Sequence, residues 1–324
     1  MNILKNFQKT NKIYQRMKEK IRNNHFLFIV LKTIRDYGFY FFNKIGNYQL
    51  EKIRFYKEVG YQLNLKNPQS FSEKIVWKKI NDRNPLLPIT TDKYKVRSYI
   101  KEVLGEEKAK EILIPLLHVT DQPETIPFER LPSSFIVKPN HASGLKIIVE
   151  NGHINKKEII KTCRRWLKIP YGLEKLEWAN QSIKRKIIIE KLLLDEDGKI
   201  PRDFKFHMFH GKCKLVYVVF DTMNYHSMSY FDEKWNYLSV KKPTRPQGPN
   251  IKKPKNYEIM LELAEKLSEP FDYVRVDFYN LNGKIYFGEL THYHLSGTGK
   301  FEPSSFDFEL GKHWKIEPEY WENK

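Results

Sequence analysis

Cysteine is nearly missing from this chain: Cys163 and Cys213 are the only two in 324 residues. Two thiols so far apart exclude a disulfide scaffold and a cysteine-based zinc site, and they fit a reducing compartment. Long apolar runs are missing too. The first, Phe26 to Leu31, is short and lies behind a polar stretch, whereas a membrane span needs about 20 apolar residues. Neither a signal peptide nor a spanning helix is expected. Acidic residues are scarce, 39 against 57 Lys and Arg, for a formal charge of +18. That excess suits an anionic partner: a nucleotide, a nucleic acid, an acidic polysaccharide or an anionic lipid surface. Nucleic acid is set aside, because no zinc finger, helix-turn-helix or RNP motif is present. Hydrophobic residues at 40% exclude disorder of the whole chain, and the length allows one large domain or two ordinary ones.

Residues 1–57 contain no proline and carry thirteen Lys or Arg against Glu19, Asp36 and Glu51. Apolar residues between Phe26 and Phe42 predict two or three basic amphipathic helices, broken near Gly38 and Gly46. Their apolar stripe either packs on the main body or docks on an anionic membrane or partner. Ser70 and Glu73 form a capping-box pattern, and Thr90-Thr91-Asp92 predicts the cap of a helix that runs through Lys93 and Ile100 to Gly105. From Ile112 onward strands are expected at 135–139, 145–149, 186–194, 203–207 and 215–220. Helices are expected at 156–168 and from Tyr257 to Leu267, after an exposed loop over 242–255. This alternation predicts a mixed α/β, or α+β, architecture.

The clearest hairpin joins residues 273–279 to 284–290 through Asn280-Leu281-Asn282-Gly283. Arg275 and Asp277 share one strand face. With a three-residue turn, Arg275 lies opposite Glu289 and Asp277 opposite Phe287, so Asp277 and Glu289 become diagonal neighbours on one face. Two such carboxylates, with Thr291 beside them, can converge on a hard cation such as Mg²⁺. A two-residue turn would send Glu289 to the other face. The competing reading is an exposed pair of strands with Arg275 as a surface ion-pair bridge.

Lys138 ends an apolar strand and precedes a loop with Ser143 and Gly144, where an ammonium and backbone N–H groups can meet phosphate; an ordinary hairpin loop is the alternative. Glu190-Lys191 interrupts an apolar strand, which suits adenine or ribose, unless the strand simply ends at Glu190. Asp195-Glu196-Asp197 has the Asp-x-Asp form of some glycosyltransferases, but Gly198 makes a hairpin turn the better reading. His207, His210, His292 and His294 lack partners for a tetrahedral metal site and are expected at the surface or beside substrate.

The order of these features resembles the ATP-grasp enzymes, and more closely the TupA-like ATP-grasp family, named for a teichuronopeptide-synthesis protein. The residues in common include Gly60 to Pro68, Asp82-Arg83-Asn84-Pro85, Thr91-Asp92-Lys93-Tyr94 and Asp203-Phe204-Lys205-Phe206. They extend to Gly288-Glu289-Leu290-Thr291 with Gly297, Phe301, Pro303, Asp307 and Gly311. The resemblance covers roughly residues 50–315 and implies two α+β lobes that close on ATP. After the basic helical segment at 1–57, read from its composition, it implies a substrate region at 58–128, a small lobe at 129–194 and a large lobe at 195–315, with residues 316–324 left as a tail. Lys93, Lys138, Ser143, Gly144, Glu190 and Lys191 would hold ATP. Asp277, Glu289 and Thr291 would hold Mg²⁺, with Arg275 and Lys205 catalytic. Thr291 stands where many ATP-grasp enzymes have asparagine.

The implied reaction is carboxylate–amine ligation through an acyl phosphate. Its substrates would be an acidic or lipid-linked glycan and an amino acid or other amine, in the cytoplasm or at the inner face of the membrane. A glycosyltransferase of surface-polysaccharide synthesis and a sugar kinase on the same fold are the alternatives.

Overall fold

The computed structural model describes residues 25–222 and 225–322. The part of the basic segment before His25 lies outside the described residues. No helix among the described residues is long and apolar enough to cross a membrane.

Among the described residues, ten strands form two antiparallel sheets. The smaller contains β1 (Leu116–Thr120), β2 (Phe135–Pro139), β3 (Ile147–Val149) and β4 (Ile187–Lys191), in the order β1-β4-β2-β3. The larger contains β5 (Asp203–Phe209), β6 (Lys212–Thr222), β7 (Tyr225–Phe231), β8 (Tyr237–Leu238), β9 (Tyr273–Leu281) and β10 (Lys284–Thr291), in the order β10-β9-β5-β6-β7-β8.

In the small sheet the period of two divides the work. Phe135, Val137, Ile187 and Ile189 pack on Ile159, Cys163 and Trp166 of helix Lys156–Lys168. Lys138 and Glu190 therefore face the opposite way, toward the large sheet. The same alternation splits the large sheet. Phe206 and Phe278 meet Tyr257 of helix Tyr257–Ser268, the Phe206 and Tyr257 rings being stacked 5.9 Å apart. Lys205, His207, Arg275 and Asp277 occupy the other face.

Helix Phe71–Asn81 lies beneath that polar face, and its capping box is formed: Ser70 accepts from the Glu73 N–H and Glu73 accepts from the Ser70 N–H. The segment after β10 closes on this helix. A Cβ on Gly311 would lie 2.2 Å from the Gln69 carbonyl, and one on Gly297 would lie 2.6 Å from Val76. Asp307 also meets the helix start, accepting from the Ser72 N–H at 3.0 Å and the Tyr61 hydroxyl at 2.5 Å. Burial outweighs these hydrogen bonds and pushes the Asp307 carboxyl up to about 6. A raised carboxyl contributes stability below its unfolded pKa and loses it as pH rises through the folded one. Wild type is thus expected to lose roughly 2–3 kcal/mol relative to Asp307→Asn between pH 4 and pH 7, measured by urea unfolding. A difference that stays flat with pH would remove the buried, raised carboxyl from the account.

Three expectations need correction. Gly38 does not break the N-terminal helix, which runs unbroken as His25–Ile45; the break is at Gly46 to Tyr48, where Asn47 and Tyr48 are left-handed. A helix keeps its hydrogen bonds across one glycine, at a cost of about 1 kcal/mol. Thr90 and Thr91 end the short helix Leu86–Thr91 instead of capping the next one, and Lys93 lies in the turn before helix Val96–Leu104. Asp92 makes the turn by accepting from the Tyr94 N–H at 2.8 Å. Finally, the 242–255 loop is not wholly exposed. Lys242 is buried, and the Gly248 N–H donates to the Met228 carbonyl at 2.7 Å.

Candidate active site

The β9–β10 hairpin turns through two residues, Asn282 and Gly283, both left-handed, with Leu281 paired to Lys284. That register alone would point Glu289 away from Asp277, contrary to the three-residue turn expected from sequence. A bulge at Gly288 reverses it. Phe287 still pairs with Phe278, but Glu289 pairs with Asp277 and Thr291 with Arg275. One extra residue flips the side-chain alternation. Glu289 and Thr291 therefore return to the face of Asp277, as direct and not diagonal neighbours.

Gly288 has a steric role as well. A Cβ there would lie 3.1 Å from the Asp277 carbonyl oxygen and 3.4 Å from its Cβ. Gly288→Ala is expected to displace Asp277 by a few tenths of an ångström. It should cut turnover about tenfold while costing roughly 1 kcal/mol or less in stability. Turnover at the wild-type rate would show that the bulge tolerates a side chain.

Around Asp277 the charges interlock. Arg275 donates through Nε and Nη2 to the two Asp277 oxygens, both at 2.6 Å. Its Nη2 also reaches Glu289 Oε1 and Thr291 Oγ1, each at 3.0 Å. Arg275 thus bridges the two carboxylates, but it is buried, so the surface ion pair considered from sequence is not what forms. Lys205, opposite Asp277 on β5, binds both Asp277 and Asp203. Burial opposes the Lys205 charge, yet the two carboxylates hold its pKa above the usual lysine value. Burial also pushes Asp203 up to about 6. Burial alone would raise Glu289, but Lys93, Arg275 and Lys205 bring it down to about 2.

The other wall of the cleft comes from the small sheet. Glu190 is buried and accepts from Lys138 Nζ at 2.6 Å, with Arg97 Nη1 at 3.5 Å. Lys191 is exposed, and strand alternation turns its side chain away from Glu190. Only the second half of that pair therefore follows the reading in which both side chains are solvated. Lys93 spans the gap between the lobes. Its Nζ donates to the Ala142 carbonyl at 3.0 Å and lies 3.5 Å from Glu289 Oε2. Ser143 and Gly144 form an exposed loop above this point. The Ser143 hydroxyl lies 2.9 Å from that of Tyr171, and Gly144 is left-handed with open space where a Cβ would stand.

Two hollows follow from this arrangement. One, which is narrow, is walled by Val96, Lys138, Glu190 and Phe287, a mix of apolar surface and charge. The other is lined by Lys93, Ser143, Arg275, Glu289 and Thr291, and extends to Glu177 and Ser296. Lys93 borders both.

Of the four histidines considered from sequence, only His210 is at the surface. His207, His292 and His294 are buried, and burial holds all three well below the usual imidazole pKa. His294 Nδ1 accepts from Arg275 Nη1 at 3.0 Å and so fixes the guanidinium from behind. Sequence reasoning missed His294 in this role, and it missed Asp203 and Arg97. The alternation of Asp203 with Lys205 was the one available signal. Asp195 serves its own turn, accepting from the Asp197 N–H at 3.0 Å and the Lys199 N–H at 2.8 Å.

Residues 73–315, well over half of the chain, match the sequence model of the TupA-like ATPgrasp family. The chain belongs to that TupA-like ATP-grasp family, and its two lobes have the ATP-grasp fold. Solved structures similar to it include D-alanine–D-alanine ligase from Bacillus anthracis complexed with ATP. That match has 18% identity over 63% of this chain and 54% of that one, with a TM-score of 0.36. The Helicobacter pylori D-alanine–D-alanine ligase matches at 12% identity over 75% and 65% of the two chains, with a TM-score of 0.42. An L-amino acid ligase from Bacillus licheniformis matches at 12% over 63% and 40%, with a TM-score of 0.38. The chain thus spans between 40% and 65% of the length of these three structures. No curated protein matches it.

Proposed function

We propose that this protein is an ATP- and Mg²⁺-dependent carboxylate–amine ligase of cell-surface polysaccharide synthesis, joining an amino acid to a uronic-acid glycan. The observation that supports it best is the convergence of Lys93, Lys205 and Arg275 with Asp277, Glu289 and Thr291 on one side of a cleft. Lys138 and Glu190 face them from the other lobe. On this reading residues 129–194 form the small lobe, 195–315 the large one, and 58–128 contribute to the substrate side.

The donor set fits Mg²⁺. Among the described residues no cluster of three acidic, histidine or cysteine side chains is present, but Mg²⁺ commonly takes one or two carboxylates and fills its shell with water and phosphate oxygens. Asp277, Glu289 and the Thr291 hydroxyl supply such a set. An ion held by these residues would neutralise charge on the transferring phosphoryl group. Lys138 and Lys93 would hold the phosphates, and Ser143-Gly144 would cover them through backbone N–H groups. Arg275, aligned by His294, would bind the developing acyl phosphate. A substrate carboxylate attacks the γ-phosphate and expels ADP, and an amine then attacks the acyl phosphate, losing a proton and expelling phosphate to give the amide. Closure of the lobes keeps water from the intermediate. Family membership and the formal charge of +18 support an acidic glycan as the acceptor. The need for ATP suits a cytoplasmic reaction.

ADP release from Mg·ATP, measured with uronic acids and a panel of amino acids, tests this reading. Release should require a carboxylate and an amine together and should yield an amide. Release with a sugar alone, leaving a phosphosugar, would make the protein a kinase. Absence of ATP binding by calorimetry would end the nucleotide assignment.

A further inference from the structure

Helix His25–Ile45 is amphipathic in the opposite sense to a layer that merely covers the body. Leu31, Ile34, Phe41 and Ile45 recur at spacings of three, seven and four, with Gly38 in the gap, so they lie along one stripe. All four face solvent, Ile34 at 65% and Ile45 at 64% exposure, and Tyr37 and Phe42 widen the stripe at its edges. Toward the body, Tyr40 packs on the cluster of Phe55, Val59 and Leu63, beside polar residues. Asp36 and Asn43 are buried at 1% and 0% exposure. Asn43 donates to the Phe39 carbonyl at 2.9 Å and accepts from the Glu51 N–H at 2.9 Å, while Asp36 is held by Lys32 and Arg35. Hydrogen bonds and ion pairs thus fix the helix with its apolar face outward.

The charge around the stripe selects what can meet it. Arg35 and Lys44 lie at its two margins, both exposed. Next along the chain, helix Gln49–Val59 adds exposed Ile53 and Tyr56 with exposed Lys57. Among the described residues up to Lys57, six cations stand against Asp36 and Glu51, both buried and paired; with exposed Glu58 and the Glu174 that pairs with Arg35, the local charge stays positive. A second copy of this chain would bring the same positive field against itself. An anionic occupant is favoured.

We infer that the outward stripe of helix His25–Ile45 docks this protein on an anionic lipid surface. The helix is long and broad-striped, with aromatic residues within the stripe and cations beside it. That form lies flat in the headgroup region of a bilayer, where the apolar face enters the acyl boundary and the basic margins meet lipid phosphates. The inference stands apart from the ATP reading: docking requires no turnover.

Flotation of the full chain with vesicles tests it. Binding is expected to phosphatidylcholine vesicles containing phosphatidylglycerol, weaker to phosphatidylcholine alone, and falling as salt screens the charge. The double variant Ile34→Asp/Phe41→Asp should bind at least about tenfold more weakly, with thermal unfolding as in wild type because both positions are exposed. Lys44→Glu should weaken binding to the anionic vesicles alone. Wild-type chain that stays with the buffer overturns the inference, as does a double variant that floats as well as wild type. A wild-type dimer that the double variant dissolves, by light scattering, assigns the stripe to a second copy. Capture by an acidic protein without vesicle binding assigns it to a protein groove. Either result overturns the lipid assignment.

Discussion

Asp277→Asn is expected to reduce ADP release by about 10²–10³-fold while leaving a folded protein. Asparagine keeps the shape of the side chain and one oxygen, so Arg275 and Lys205 retain hydrogen-bond partners on β9. It removes the charge that both cations neutralise and that a metal would need. The expected loss of stability is about 1–3 kcal/mol, the range for weakening charged hydrogen bonds in a buried cluster. The two readouts separate the roles of the carboxylate. Turnover should fall by orders of magnitude, while thermal unfolding moves by only a few degrees. Mg·ATP should also bind more weakly by calorimetry. Wild-type turnover in this variant would move the metal away from the hairpin and undo the proposed site.

The largest effect on stability is expected from Lys78→Met. Lys78 is fully buried on helix Phe71–Asn81 and is bound by Asp82 at the end of that helix and by Asp272 just before β9. The Tyr320 hydroxyl lies 3.2 Å from its Nζ. Burial opposes the ammonium, but Asp272 and Asp82 hold its pKa well above the usual lysine value. Methionine fills similar space and leaves two buried carboxylates facing each other. Removing one partner from a buried ionic cluster costs about 3–5 kcal/mol. A fall in melting temperature of roughly 10 °C is expected in a chain of this size. Adding Asp82→Asn to Lys78→Met should recover part of the loss. A fall below about 1 kcal/mol would show that the cluster does not clamp the helix to the sheet.

That clamp explains why the C-terminal residues shared with the family matter. Gly297 and Gly311 are close-approach positions against helix Phe71–Asn81, and Asp307 meets its N-terminal end. The helix in turn lies beneath Arg275 and His294, with the Phe71 ring 6.0 Å from that of His294. These residues position the polar face of the large sheet without touching the cleft.

Much of this was written locally in the chain. Alternation of charged and apolar residues placed Arg275 and Asp277 on one face of their strand and Asp203, Lys205 and His207 on one face of theirs, because strand side chains alternate whatever surrounds them; the β5–β9 register brought the two sets together. The capping box at Ser70 and Glu73 depends on residues three apart, and it formed as expected. The apolar spacing of helices 156–168 and Tyr257–Ser268 is likewise set within a few turns.

What packing alone decided has no local signature. Glu289 reached Asp277 only through the bulge at Gly288, which undoes the register of the two-residue turn. Nothing in the hairpin's composition distinguishes that glycine from a plain strand residue. Lys138 and Glu190 meet because β2 and β4, separated by about fifty residues of chain, pair in one register. Lys93 reaches Glu289 only because the lobes fold against each other. His294 and His207 are buried because helix Phe71–Asn81 covers them. The direction of the N-terminal stripe also came from packing. Its periodicity marked an apolar face, but the ties of Asp36, Asn43 and Glu51 turned that face outward, since hydrogen-bonded polar groups can be buried and stay buried.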